Sequence, residues 1–270
     1  MKRSRLHQYA TFVALSTLLL VISGAAVTSS RDQPRQAILQ IVHLALGIID
    51  TLLIAGLSIW LLRSAQAWLR RAGWTILAVV IVDAALGHRA GGPVAGTLHA
   101  CLAAVLFAAI AAISLRTSPS WQCDPELVQD YGRPSLRFLS GAAAFLVAVQ
   151  VGFGAGFRHS VVGVLPHLLG ALVVALFIVI VGAFVTTQFP KHKSLRSIAV
   201  AFMTITAIQV FLGLAAFLMR LMNMAATLAF LGISVAHVAT GSLTFAASVM
   251  LAMEIRRSVL PRAVMSGGAV

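Results

Sequence analysis

Residues 161–187 decide the fold, because VVGVLPHLLGALVVALFIVIVGAFVTT is one apolar stretch without Asp, Glu, Lys or Arg. A transmembrane helix needs about 20 consecutive apolar residues, whereas a transmembrane β-strand needs about 10 and alternates in polarity. The stretch therefore predicts a membrane-spanning helix. Seven other stretches share its apolar character, and the eight predicted spans cover residues 9–28, 37–62, 73–88, 95–115, 137–156, 161–187, 196–218 and 227–252.

The composition of the whole chain agrees with this prediction. Of its 270 residues, 60% are hydrophobic and 10% are charged, whereas about 25% of the residues of a soluble domain are charged. The mean hydropathy is +0.97. We therefore predict an all-α integral membrane protein with eight transmembrane helices. A cleavable signal peptide is the alternative for residues 9–28, because basic residues precede them, but the internal repeat described below requires a span there.

The basic residues are distributed unevenly between the two sides of the predicted bundle. Of the 20 Lys and Arg residues that produce the net charge of +13, fifteen fall on the side of both termini and five on the other. This positive-inside bias predicts cytoplasmic termini and a multi-pass topology. The charge is thus interpreted as a topological signal and not as a surface for nucleic acid. The five residues on the outer side are Arg31, Arg35, Arg89, Arg158 and Arg220.

A polar connection divides the spans into two sets of four. We expect an N-terminal four-helix bundle over residues 1–116, a cytoplasmic linker over 117–135 and a C-terminal four-helix bundle over 136–270. Because four spans return the chain to its starting side, the two bundles should be pseudo-symmetric about an axis along the membrane normal.

The two sets of spans also match in sequence. Ile41-Val42-His43-Leu44 in the second span corresponds to Leu165-Pro166-His167-Leu168 in the sixth. Thr97-Leu98-His99-Ala100 in the fourth span corresponds to Val235-Ala236-His237-Val238 in the eighth. The chain therefore resembles a duplicated four-helix unit.

Four histidines occupy matching depths in this repeat, a turn or two below the outer ends of spans two, four, six and eight. Histidine is costly in hydrocarbon and usually faces the bundle interior with a partner. One such residue would normally be a buried side chain bonded to a neighbouring carbonyl group. Four of them in a repeated frame favour metal ligation, and the expected pairs are His43 with His99 and His167 with His237.

The surroundings of the pairs favour haem as the metal group. Zinc sites normally include more ligands in a tight tetrahedron, and the sequence places no such cluster here. Copper is not excluded, but two separate pairs in apolar helices suit a flat macrocycle, which a four-helix bundle can hold with ligands from facing helices. Four arginines are candidate partners of the haem propionates, because guanidinium groups pair with carboxylates. They are Arg31, Arg35, Arg89 and Arg158, and anchoring at the membrane interface is the alternative role.

Two acidic residues fall within the predicted spans. Asp50 lies two turns below His43 on the same helical face, and Asp83 lies near the outer end of the third span. Local pairing and proton relay are both open for such residues.

These motifs resemble those of the haem A synthase family, membrane enzymes that oxidise haem O for cytochrome oxidase. The resemblance covers nearly the whole chain in layout and is strongest in its second half. It is carried by Gly96-Thr97-Leu98-His99-Ala100-Cys101, His167-Leu168-Leu169-Gly170, Gln209-Val210-Phe211-Leu212-Gly213 and Val235-Ala236-His237-Val238-Ala239-Thr240-Gly241.

The resemblance implies two four-helix bundles in a bacterial cytoplasmic (inner) membrane. It implies that His167 and His237 hold a permanent haem b. His43 and His99 would lie where a methyl group of haem O is oxidised to the formyl group of haem A, chemistry for which a redox cofactor is required. Besides lipid and haem, the expected partners are haem O synthase or cytochrome oxidase assembly factors, and no nucleic acid is expected.

The sequence departs from the family pattern in two places. Many members carry a glutamate three residues before the first histidine, where this chain has Gln40, an amide that hydrogen-bonds but carries no charge. Gln40 is accordingly the candidate catalytic residue. The loop 29–35 also lacks the cysteine pair of many members. Both departures favour the alternative, a non-catalytic haem b-binding protein for electron transfer or oxidase assembly. A transporter would require broken helices and midplane polar sites, whereas these histidines lie toward one surface.

Overall fold

Long helices form nearly all of the protein. The computed structural model describes residues 2–31, 33–88, 92–130 and 132–261, with side chains from Arg5 onward. The helices are α1 (Lys2–Ser29), α2 (Gln36–Leu62), α3 (Ala67–His88), α4 (Pro93–Thr117), α5 (Pro119–Gln122), α6 (Leu136–Arg158), α7 (Val164–Gln188), α8 (Lys193–Leu221) and α9 (Leu228–Ser258), and the strands are β1 (Val128–Gln129) and β2 (Val259–Leu260).

Seven of the described helices are long and apolar enough to cross a membrane, namely α1, α2, α4, α6, α7, α8 and α9. Their outer faces are apolar as well, since the side chains of Phe211 and Leu172 are 72% and 69% exposed. A soluble protein seldom exposes so much contiguous apolar surface. These helices confirm the prediction of an all-α, multi-pass membrane protein. The remaining long helix, α3, has 22 residues and carries Arg70, Arg71 and Asp83.

Short polar signals set the ends of several helices. The hydroxyl groups of Ser135 and Thr227 accept hydrogen bonds from the amides three residues later and so cap the starts of α6 and α9. Pro93 occupies the first turn of α4, where its missing N–H has no helical partner to lose. After α6 and α8 the chain turns through Ser160 (φ 61°) and Asn223 (φ 58°), the left-handed conformation common just beyond helix C-termini.

The long helices pack in two groups of four, one before and one after residues 118–135. In the first group α1 contacts α2, α2 contacts α3, α3 contacts α4, and α4 contacts α1. The second group repeats this cycle with α6, α7, α8 and α9. Within each group, the second and fourth helices therefore lie diagonally across the centre. These are the helices that carry the four histidines of the sequence motifs.

The two groups touch through α1 and α4 on one side and α6 and α9 on the other. Arg158, at the end of α6, connects them, because its Nη2 donates to the carbonyl oxygen of Ala25 (3.0 Å) and to the hydroxyl group of Ser29 (3.0 Å). It also donates to the hydroxyl group of Thr28. The guanidinium group thus adds donors at the C-terminal end of α1, where the carbonyl oxygen of Ala25 also accepts from the hydroxyl group of Thr28 (3.1 Å).

The connection over residues 117–135 contains structure that the sequence did not predict. It includes α5 and β1, and β1 pairs in parallel with β2, with Val128 opposite Val259. The carboxylate group of Asp130 accepts hydrogen bonds from the amides of Gly132 (2.9 Å) and Leu136 (2.7 Å). The connection is thereby fixed both to the start of α6 and to the end of α9.

Candidate functional site

Two pairs of imidazole rings lie toward the end of the molecule where α2, α4, α7 and α9 begin, here called the histidine end. The ring centroids of His43 and His99 are 6.2 Å apart, and their planes meet at 73°. The centroids of His167 and His237 are also 6.2 Å apart, with an interplanar angle of 81°. The structure thus brings together the two histidines of each half, in nearly the same geometry.

In the first pair, Nδ1 of each ring faces an oxygen atom of the preceding helix. His43 Nδ1 lies 2.8 Å from the hydroxyl oxygen of Ser23, which itself donates to the carbonyl oxygen of Leu20. His99 Nδ1 lies 2.9 Å from Asp83 Oδ1 and 3.1 Å from the Asp83 carbonyl oxygen. Oxygens that act as acceptors assign the proton to Nδ1. The lone pair of each ring is then on Nε2.

In the second pair, both rings contact glutamine residues of the preceding helices. His237 Nδ1 lies 3.1 Å from the carbonyl oxygen of Gln209, so it also donates there. The amide nitrogen of Gln150 donates to the backbone oxygen of His167 (2.8 Å) and lies 2.9 Å from its Nδ1. Each of the four rings therefore contacts, through Nδ1, the helix that precedes the one carrying it.

A glycine on that preceding helix faces the Cε1 edge of each ring. A Cβ atom built on any of these glycines would lie 2.7–3.0 Å from Cε1, closer than side chains normally approach. The small residue thus allows the imidazole to lie against the helix backbone. The four glycine–histidine contacts are Gly24–His43, Gly87–His99, Gly154–His167 and Gly213–His237.

Sequence reasoning missed these contacts, although the chain carries a signal for three of them. A polar residue that reaches the ring lies four positions before the glycine in α3, α6 and α8, and the three pairs are Asp83–Gly87, Gln150–Gly154 and Gln209–Gly213. A spacing of four residues places two side chains on one face of a helix. In α1 the corresponding partner is Ser23, directly before Gly24.

The separation of the rings fits ligation of one metal ion from two sides. A nitrogen ligand of imidazole lies about 2 Å from its metal, and the ring centre lies roughly 1 Å further away, so two opposed rings have centroids about 6 Å apart. Within the described residues, no three His, Cys, Asp or Glu side chains are close enough to share one ion. Each pair therefore offers two imidazole nitrogens at this separation.

The predicted propionate partners occupy varied positions. Arg158 is engaged with α1, as described above. Arg35 donates to the hydroxyl group of Ser30 (3.1 Å) and to the carbonyl oxygen of Ala226 (3.2 Å). Arg31 is exposed, and Arg89 lies outside the described residues. Arg220, which sequence reasoning did not select, places its guanidinium carbon 5.2 Å from the ring centre of Phe157.

The ring of Phe157 in turn stacks on that of His167, with centroids 6.4 Å apart and planes at 10°. His159 lies just beyond α6, and its ring lies against Gly96 of α4, three residues before His99. Burial, together with the nearby cations Arg158 and Arg31, lowers the pKa of His159. The histidine end therefore holds neutral imidazole and several cations where the two helix groups meet.

The two acidic residues of the predicted spans and Gln40 lie in three different environments. Asp83 pairs with His99, so local pairing is the observed role of that carboxyl group. Asp50 is 1% exposed; its Oδ1 accepts from the hydroxyl group of Thr17 (3.3 Å), and its Oδ2 has no hydrogen-bond partner among the described residues. Gln40 is exposed on α2, one turn before His43.

Replacing Gly213 with Ala should destabilise the protein, because the new Cβ would lie 2.7 Å from Cε1 of His237 and the ring would have to move. The control is Gly232→Ala in α9, where an added Cβ meets nothing within 4 Å. That control should be neutral or gain up to about 1 kcal/mol, the usual difference between Gly and Ala in a helix. Thermal unfolding in one detergent would compare the two variants, and equal midpoints would contradict the packing described here.

Comparison with known proteins leaves the function to be inferred from this geometry. The sequence matches no protein-family model and no curated protein.

Proposed function

We propose that the protein is a haem-dependent membrane oxidoreductase similar to haem A synthases, which oxidises a methyl group of haem O to the formyl group of haem A for cytochrome oxidase. The observation that supports it is the pair of neighbouring imidazoles in each half, with ring centroids 6.2 Å apart. Haem b would be held by His167 and His237. The haem that is oxidised would be held by His43 and His99.

In this proposal the haem supplies the redox chemistry, which side chains cannot perform alone. The chain supplies ligands and their orientation. Hydrogen bonds from Nδ1 fix the proton on that atom in His43, His99 and His237, which leaves the lone pair of each ring on Nε2 for iron. At His237 the amide nitrogen of Gln209 lies 3.5 Å from Nε2, so this side chain would have to turn away when iron binds. The glycines beside the rings let each imidazole lie against the neighbouring helix.

We also propose that α3 crosses the membrane as the third of eight spans, in two pseudo-symmetric bundles. Its 22 residues are enough for a span of about 20 residues. Arg70 and Arg71 lie in its first turn, where they would reach the interface, and its buried Asp83 is paired with His99. Both termini would then be cytoplasmic in a bacterial inner membrane, in agreement with the distribution of basic residues.

A second candidate function is a non-catalytic haem b carrier for electron transfer or oxidase assembly. Gln40 favours it, because an amide at this position cannot hold a negative charge or transfer a proton as a carboxylate can. The helix groups and histidine pairs serve either function, so the two candidates differ only at the site of the first pair.

Haem binding should depend on each pair separately. When the protein is produced with a source of haem O, the purified material should show Soret absorption. His167→Ala combined with His237→Ala should remove haem b, and His43→Ala combined with His99→Ala should remove the other haem, because each change deletes both axial ligands. Exposed His88→Ala is the control and should keep both. A wild-type protein without Soret absorption after haem is supplied would refute both candidate functions.

The pigment extracted from the same material separates the enzyme from the carrier. Formyl haem supports the enzyme, and haem B alone from well-folded protein supports the carrier. Gln40→Glu restores a carboxyl group one turn before His43, so we expect this variant to yield more formyl haem than the wild type. An unchanged yield would mean that the amide at this position does not limit turnover.

The topology can be tested with reporters that are active on only one side of the membrane. If α3 spans, reporters fused at residue 2 and at residue 261 should both report the cytoplasm, because an even number of spans returns the chain to its starting side. A reporter in the connection 117–135 should agree with them. Termini on opposite sides would show that only seven helices span.

A further inference from the structure

The two halves present the same backbone contact to the histidine of their fourth helix. The carbonyl oxygen of Asp83 lies 3.1 Å from His99 Nδ1, and the carbonyl oxygen of Gln209 lies 3.1 Å from His237 Nδ1. Each of these residues also lies four positions before the glycine that faces the ring. Positions 83 and 209 are therefore equivalent.

The side chains at these equivalent positions differ in charge. Asp83 is 5% exposed and adds a carboxylate oxygen 2.9 Å from His99 Nδ1. Gln209 is neutral, and its amide oxygen accepts a hydrogen bond from the hydroxyl group of Thr240. Among the described residues, His99 is the one paired histidine that forms an ion-pair contact with a carboxylate.

A carboxylate that accepts the Nδ1 proton of a metal-bound imidazole increases the electron donation of that ligand. It also places negative charge near the iron, where the low dielectric of the helix interior strengthens its effect. Both effects stabilise the ferric form, which carries one more positive charge than the ferrous form. Hydrogen bonding around the axial ligand is among the means by which proteins adjust haem potentials.

We propose that Asp83 is a positioning residue that makes His99 the strongest donor of the four histidines, so that the iron of the first pair has a lower reduction potential than the iron of the second. This inference rests on the haem ligation proposed above. A difference in this direction would favour the ferric form at His43 and His99 and the ferrous form at His167 and His237. The two halves of the repeat would then differ in redox preference through the charge at one position.

The test is a redox titration, followed by visible absorption, of protein loaded with haem b. Two double variants with a single remaining site assign a midpoint potential to each histidine pair. His167→Ala with His237→Ala keeps only the first pair, and His43→Ala with His99→Ala keeps only the second pair. The first site should show the lower midpoint. Asp83→Asn in the first protein should raise the midpoint potential of that site by at least about 59 mV. For a one-electron couple, this shift corresponds to a tenfold change in the ratio of ferric to ferrous iron.

Two further variants keep the test informative. Gln209→Asp in the second protein places a carboxyl group at the position equivalent to Asp83, and it should lower the midpoint of that site. Asp50→Asn makes the same chemical change as Asp83→Asn in the same half, seven residues from His43, and should cause a smaller shift. If Asp83→Asn fails to fold, the midpoint of Gln209→Asp decides whether a carboxylate at this position lowers the reduction potential.

Several outcomes would overturn the inference. They are a first-site midpoint at or above that of the second site, an Asp83→Asn shift no larger than that of Asp50→Asn, and an unchanged midpoint in Gln209→Asp. In each of these cases both sites still bind haem, so the proposed function would stand. Absence of haem from both single-site proteins would instead remove the proposed function and this inference together.

Discussion

The hydrogen bond between each imidazole and the preceding helix is the constraint on which the histidine end depends. Within hydrocarbon there is no water to satisfy a polar ring, so Nδ1 must find its partner in the protein. That partner lies on the neighbouring helix in all four cases, and a glycine beside it allows the two helices to approach. With Nδ1 held in this way, the rings of the two diagonal helices meet within each group. The equal centroid separations of the two pairs follow from this shared arrangement.

The sequence predicted the parts of the fold that depend on composition and repetition. Apolar stretches predict the long helices, and the repeated histidine motifs predict that His43 lies near His99 and His167 near His237. The status of α3 was harder to predict, because Arg70, Arg71 and Asp83 reduce its apolar character. The partners Ser23 and Gln150 could not be assigned to a particular ring, since such contacts join different helices. Strands β1 and β2 have two residues each, too few to show any periodicity.

The differences between the halves are as informative as their likeness. Duplication would give two equivalent sites, yet the first half carries Asp50 and Asp83. Seven residues after His167, where Asp50 follows His43, the second half has Val174, and four residues before Gly213, where Asp83 precedes Gly87, it has Gln209. Val174 is a buried core residue, as expected where no polar group is needed. Buried carboxyl groups are costly in a membrane and tend to be kept for a function. The first half thus places carboxyl groups at two positions where the second half has none, whereas the buried carboxyl group of the second half, Glu254, lies near the other end of α9.

The contact of Arg158 with the end of α1 has a consequence for how the chain is assembled during synthesis. The N-terminal group emerges from the ribosome first, and domains generally fold in that order. Until α6 has been inserted, the carbonyl oxygen of Ala25 accepts from the hydroxyl group of Thr28 within α1 (3.1 Å), and the guanidinium group of Arg158 adds its donor only afterwards. The early half is therefore complete in its own helix contacts before the later half exists. The guanidinium group, at the C-terminal end of the first helix of the later half, then links the nascent halves before α7, α8 and α9 have been added.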